Sequence, residues 1–207
     1  MAPVDRVVER RALLLDAALE LLGTRGWSGM TVRGVCALAR LNPRYFYESF
    51  ADLDALAVAV FDRTMEELRT TVDAAVEAAG PDPVARVRAL VAGTIGYIDD
   101  DRRRARVLYV EGRTNERLQR RRWESSSSTA ALIAAEAAGP AGIGEVHQLI
   151  AAFLVGGFSE LLVRWLDGAI PVGRDELVDD VTVLFLSLGR AGQRIASGRT
   201  EPRTTGS

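Results

Sequence analysis

Beyond Asp52 the apolar positions of this chain recur at helical spacing, and no stretch alternates as a half-buried strand does. A long helix is predicted from Leu53 to Ala79, stopped by Gly80-Pro81, and another from Pro83 to about Tyr97. Next comes DDDRRRARVLYVEG, its acids ahead of its basic residues as a helix dipole prefers. A long polar segment from Arg113 to Ala138 follows, ended by Gly139-Pro140; in it Arg120-Arg121-Arg122 reads as a solvated face and Ser125 to Ser128 as a place to fray. Two further stretches, Glu145 to Trp165 and Leu177 to Gly189, are apolar on almost all sides and need cover on every side.

Ahead of Asp52 the punctuation is tighter. Thr31 is a hydroxyl residue before an apolar-periodic run, suited to accept from the free N–H groups of a new helix. Val32, Val35 and Leu38 fall at i, i+3 and i+6 and predict a buried stripe, with Arg33 and Gly34 facing away. The pattern breaks at Arg40-Leu41. Asn42-Pro43 then restarts it, with Asn as cap and Pro at the first helical position, where a missing N–H costs nothing. Phe46 and Phe50 stand four residues apart and are predicted core, which turns Arg44, Tyr45, Tyr47 and Glu48 toward other faces; Glu48 is expected to pair weakly with Arg44.

Two short helices around a turn, the second with an exposed first turn, form a helix-turn-helix layout. Such a second helix enters the DNA major groove N-terminus first. An Arg there can contact guanine O6 and N7 together, and a Tyr offers a hydroxyl for phosphate or a ring face for a thymine methyl. The positive end of the helix dipole near Asn42 adds attraction for a phosphate oxygen.

With these motifs in place, Val8 to about Asp62 resembles the N-terminal domain of the TetR family of bacterial transcriptional regulators. RVVERRALLLDAALELLGTRGW is similar to that family's first helix, closed by Gly26-Trp27, TVRGVCALA to its second, LNPRYFYESF to its recognition helix and ADLDALAVAVF to the start of its fourth. The resemblance implies phosphate contacts from Thr31 and Tyr47 and a groove lining of Asn42, Pro43, Arg44 and Tyr45; Arg33 joins this DNA-binding set. The family often has Gly where this chain has Arg40, and commonly a Lys where this chain has Leu53. Arg is costly if the turn needs a left-handed conformation, and the missing Lys removes one expected backbone contact.

Composition narrows the classes. The chain has 207 residues, 48% hydrophobic and 26% charged, ordinary for a globular protein. Its net charge of −2 argues against coating nucleic acid indiscriminately, yet the first fifty residues hold seven Arg against five acids, a balance of +2. Every basic residue is Arg, which reads as a coding bias. The start, MAPVDRVVERR, lacks a signal sequence, and the longest apolar run, Leu149 to Phe158, is too short to span a bilayer, so a cytoplasmic protein is expected. A single cysteine, Cys36, excludes an internal disulfide framework and reads as a buried structural thiol rather than a redox sensor. The single histidine, His147, lacks partners at metal-ligand spacing, so neither a metal nor another cofactor is expected. No phosphate loop or nucleophile elbow appears, which argues against an enzyme.

The expected fold is therefore all-α. An N-terminal three-helix helix-turn-helix domain spans 1–52, a helical ligand-binding and dimerisation domain 53–198, and a disordered tail 199–207. The two apolar helices are expected to pair with their copies as a four-helix dimer interface through Leu154, Gly157, Phe158, Leu161, Val181, Leu184, Phe185 and Leu188. The resemblance favours the same dimer and implies a pocket for a small-molecule effector. Tyr97, Tyr109, Trp123, Phe153 and Trp165 are its candidate walls, though each reads first as plain core. The expected function is a ligand-responsive homodimeric regulator, a repressor in the first instance, on a palindromic double-stranded DNA operator. A helical adaptor that binds only proteins is the alternative. Effector, operator, regulated genes and the sign of regulation lie beyond the sequence.

Overall fold

The computed structural model describes residues 3–111, 115–138 and 142–200, and the expectations for Gly139-Pro140 and for 201–207 fall outside them. Among the described residues all regular structure is helical. The chain forms two compact units, Met1–Ala74 with Gly93–Trp123, and Ala75–Ala92 with Glu124–Ser207. The segment 1–52 lies wholly in the first unit, which also takes in most of the following helix and residues 93–123. Packing units and the functional division expected at residue 52 are different cuts of the chain.

In the first unit, α1 (Pro3–Arg25) buries Leu14, Leu15, Ala17, Ala18, Leu21 and Leu22, a stripe at i, i+1, i+3, i+4, i+7 and i+8. It stops at Gly26, whose φ of 73° and ψ of −179° only glycine adopts readily, and a 3₁₀ turn, Trp27–Gly29, leads on. Helices α2 (Val32–Ala39) and α3 (Pro43–Ser49) pack against α1 and each other. On α2 the buried stripe is Val35, Cys36 and Ala39 rather than Val32, Val35 and Leu38; Leu38 is exposed. Steps of 100° put Ala39 between Val35 and Cys36 and carry Leu38 to the flank.

Asp52 opens α4 (Leu53–Ala78) by accepting from the Ala55 N–H at 2.7 Å, and Leu56, Ala57, Val60, Phe61, Thr64 and Leu68 face the core. Gly80, at φ 74°, ends it and α5 (Pro83–Asp99) follows. Asp101 caps the single turn α6 (Arg102–Ala105), which runs into a π-helical turn, Arg106–Val110. Helix α7 (Glu116–Ala138) is capped by Asn115, whose Oδ1 accepts from the Leu118 N–H at 2.7 Å and whose amide donates to Asp54 at 2.6 Å. The predicted fraying at Ser125 to Ser128 is absent, since α7 is continuous and Ser125 O accepts from Thr129 at 2.9 Å. Nor is the arginine run simply solvated, because Arg121 reaches Asp62 at 2.6 Å.

The second unit is built on α8 (Glu145–Leu166) and α9 (Arg174–Thr200), the latter far longer than its predicted Leu177 to Gly189 and including residues 199 and 200. Gly192 permits their close approach: a Cβ there would lie 2.0 Å from Ile150 Cδ1. Phe158 and Phe185 meet edge to face at 5.3 Å. His147 closes the start of α8, its Nδ1 accepting from the Gly144 N–H at 3.1 Å, a structural use of the lone histidine. With its flanks, the run predicted too short to span a bilayer lies in a helix long and apolar enough to do so by length and composition, mean hydropathy 1.7.

Candidate nucleic-acid interface

Both short helices of the reader are capped by the residues the sequence named. Thr31 Oγ1 accepts from the Gly34 N–H at 3.0 Å, and its own hydroxyl proton stays available to a phosphate oxygen. Gly34 suits this cap, because a Cβ there would stand 3.0 Å from that same oxygen. Asn42 Oδ1 accepts from the Arg44 N–H at 2.9 Å, leaving its amide nitrogen to donate outward. Arg40 adopts the left-handed conformation, φ 55° and ψ 39°, with the Leu41 N–H returning to Cys36 O at 2.9 Å. The turn therefore keeps the geometry for which glycine is suited, and Arg40 is held in it.

Thr31, Arg33, Asn42, Pro43, Arg44 and Tyr47 are exposed and Tyr45 is half-buried. Phe46 is fully buried and Phe50 nearly so, 6.1 Å apart ring to ring, which anchors α3 by its inner face. Tyr47 leans on Phe46 edge to face at 5.2 Å. Arg44 reaches out with its side chain 82% exposed, its Nε donating to Glu48 Oε1 at 2.9 Å.

Helix α1 contributes contacts that sequence reasoning missed. The Arg10 guanidinium lies over the Tyr45 ring at 4.2 Å, and its Nε donates to Arg6 O at 3.1 Å. Arg11 covers the Phe50 ring at 4.2 Å and donates to Ser49 O at 3.0 Å, so the last turn of α3 is clamped from α1. An Arg pair beside a predicted reader was the available signal; its targets, more than thirty residues away, were not. Cys36 is buried, and burial pushes its thiol up, away from the reactive thiolate.

Helix α1 is also tied to α6. Arg103 pairs with Glu20 and, through two nitrogens, with Asp101, at 2.8 and 2.7 Å. Those hydrogen bonds from Arg103 hold the Asp101 carboxyl below the usual range. Gly23 makes room, since its Cβ would lie 2.3 Å from Arg103 Cβ. Glu111, 6% exposed, accepts from the Trp27 N–H at 2.7 Å and from Arg106 Nε at 2.6 Å, and Arg106 also donates to Thr24 O at 3.2 Å.

The five proposed effector residues are not gathered in one unit. Tyr97, Tyr109 and Trp123 belong to the first and Phe153 and Trp165 to the second. Tyr97 is a buried brace: its hydroxyl donates to Glu67 at 2.9 Å, with Thr64 O a second acceptor within reach at 3.2 Å, beneath the Arg104 guanidinium, and burial raises its phenol pKa strongly. Desolvation pushes the half-buried Tyr109 up to about 12. Trp165 fastens its own helix end, its indole donating to Val172 O at 2.9 Å. Trp123 and Phe153 are 72% and 65% exposed, so neither is an enclosed wall in a single chain.

Phe153 belongs instead to an outward apolar row on α8 with Leu149, Gly156 and Gly157, at i, i+4, i+7 and i+8. Of the proposed interface set, Gly157 and Leu184 are exposed and Leu154, Phe158, Leu161, Phe185 and Leu188 half-buried, whereas Val181 is 1% exposed and packs inside its own unit. Val183, 60% exposed beside Leu184, was missed. Nothing lies within 4 Å of a Cβ built on Gly156 or Gly157, so packing within the chain does not require their smallness. Among the described residues no group of His, Cys, Asp and Glu is placed to hold a metal.

A three-helix domain with a doubly capped turn and an outward-facing reader helix defines a helix-turn-helix DNA-binding class. Residues 14–60 match the family described as "Bacterial regulatory proteins, tetR family". The chain is 38% identical over 88 residues to an uncharacterized HTH-type transcriptional regulator in the dhlA 5' region of Xanthobacter autotrophicus, a match spanning 41% of this chain and 42% of that relative. Similar solved structures include a TetR-like regulator from Rhodococcus sp. RHA1, with TM-score 0.69, 22% identity and coverage of 89% and 96% of the two chains. Another is the fatty acid degradation regulator FadR from Bacillus halodurans, with TM-score 0.70, 18% identity and coverage of 90% and 96%. Residues 14–60 thus match the N-terminal domain of the TetR family, and the chain as a whole has the fold of TetR-like regulators. At these identities the solved structures speak for the fold alone.

Proposed function

We propose that this protein is a homodimeric repressor that binds a palindromic operator and is released by a small-molecule effector. The observation that carries the reading is the first turn of α3: Arg44, 82% exposed, projects from a helix capped by Asn42 and anchored by Phe46 and Phe50. Guanidinium at that place can read guanine, with Thr31, Arg33 and Tyr47 offered to phosphates around it.

A second copy supplies the other half-site. Reader helices of such dimers stand about 34–36 Å apart, one DNA turn. The row of Leu149, Phe153, Gly156 and Gly157 on α8 and Val183 with Leu184 on α9 is the surface for that copy, and the two glycines let backbones approach closely. A bilayer is the other medium that could cover α8. It suits the exposed charges of α9 poorly, since Asp179, Asp180, Arg190 and Arg194 would need water. DNA as partner places the work in the cytoplasm. The effector half of the proposal is a population shift, which needs a ligand that prefers the non-binding geometry.

Footprinting of the purified protein on the DNA upstream of its own gene tests the reading. Protection of a palindrome by wild type, with Arg44→Ala weakening it while sedimentation still finds a dimer, is expected. An unchanged footprint with Arg44→Ala, or no protection at all, overturns it. The latter outcome with an intact dimer favours the protein-binding adaptor.

A further inference from the structure

The Arg44–Glu48 pair is arranged against the interests of its own helix. A cation in the first turn and an anion in the last face the wrong ends of the dipole, and acid after base at i, i+4 is the weaker order for a helical pair. A carboxylate on a DNA-facing helix also repels phosphate. Yet the pair is made at 2.9 Å, and through Nε rather than a terminal nitrogen.

That choice of atom has a chemical consequence. A guanidinium can offer two parallel N–H groups either from Nε with one Nη or from the two Nη nitrogens end-on. With Nε held by Glu48, only the end-on pair is left, matched to guanine O6 and N7. The neighbouring reader is fixed in the same spirit: Tyr45 lies under Arg10, itself tied to Arg6 O, so one ring face is covered.

Resting on the proposed DNA-binding function, we propose that Glu48 is a specificity-determining residue. It limits Arg44 to end-on reading of a guanine and keeps non-specific DNA binding weak.

The test starts from selection out of duplexes with a randomised core about two DNA turns long, roughly 20 bp. Binding of wild type, Glu48→Ala and Glu48→Gln is then measured by fluorescence anisotropy on three duplexes: the selected one, the same one with the guanine facing Arg44 changed to adenine, and a scrambled one. In wild type the guanine change should weaken binding at least about tenfold. For Glu48→Ala that discrimination should fall about tenfold while scrambled-duplex binding tightens several-fold. Glu48→Gln keeps an acceptor for Nε without the charge, so it should retain discrimination yet bind scrambled DNA more tightly. A merely structural residue gives a different picture, equal weakening by Glu48→Ala on all three duplexes with unchanged discrimination, and that result overturns the inference. So does a wild-type motif without a guanine that depends on Arg44, which leaves the DNA-binding function standing. If wild type selects no sequence at all, that function falls, and the inference with it.

Discussion

Replacing Glu111 by Ala should unsettle the end of α1 rather than the site where the change is made. The carboxylate is 6% exposed and serves two partners, the Trp27 N–H at 2.7 Å and Arg106 Nε at 2.6 Å. Truncation leaves the part-buried Trp27 N–H without its acceptor, at about 1–2 kcal/mol. Arg106 is 40% exposed and can rehydrate, so its share is only about 1 kcal/mol, with a similar amount for the one lost methylene. The variant should therefore lose about 3 kcal/mol, or roughly 6–12 °C in Tm for a chain of this size. Glu111→Gln retains an oxygen for Trp27 and should lose about 1 kcal/mol. Urea unfolding followed by Trp27 fluorescence, in a background with Trp123 and Trp165 changed to Phe, reads the event where it occurs. A loss below about 1 kcal/mol for Glu111→Ala, or equal losses for both variants, would refute the assignment of Glu111 as the acceptor that fixes this turn.

Arg40→Gly should raise stability by about 0.5–1 kcal/mol in urea unfolding, because Arg40 sits at φ 55°. If Arg40 also meets a phosphate, the same variant lowers the salt slope of DNA binding by about one unit. Asp101→Asn should cost about 1 kcal/mol at neutral pH. Its folded pKa is depressed below the ordinary 3.8 by Arg103, so the contribution is present above that value and lost as pH falls through the lower folded one. Wild type and variant should accordingly converge in acid unfolding experiments below about pH 4 and diverge above it. Gly23→Ala should destabilise by about 1–3 kcal/mol, since the new Cβ would meet Arg103 Cβ at 2.3 Å and helix must move against helix. An unchanged Tm in that variant would mean that α1 and α6 do not approach as closely as described.

The reader was legible in the sequence because its signals are local. Thr31, Asn42 and Pro43 act on N–H groups within three residues, and Phe46 and Phe50 are one turn apart, so order along the chain already states the geometry. Leu38 was misplaced because an i, i+3, i+6 series drifts around an α-helix, and only the partner helix decides where the stripe is centred. Long-range polar contacts left no such trace. Nothing in Gly26-Trp27 announces that Glu111 will accept from Trp27, and nothing in Gly23 announces Arg103. The apolar helices α8 and α9 were recognised as needing cover. Which face each keeps for itself was not, so Val181 was placed outside and Phe153 in a pocket.

Helix α1 ties these observations together. Its N-terminal half holds the reader through Arg10 on Tyr45 and Arg11 on Phe50 and Ser49. Its C-terminal end holds α6 and the π-helical turn through Glu20, Gly23 and Thr24, with Glu111 fastening the turn beyond. Between them runs one uninterrupted helix with six buried apolar residues and no glycine before Gly23. A packed helix of that kind shifts as a body rather than bending, because close-packed interiors resist small continuous deformation. Helix α1 thus touches both α6 and the last turn of α3.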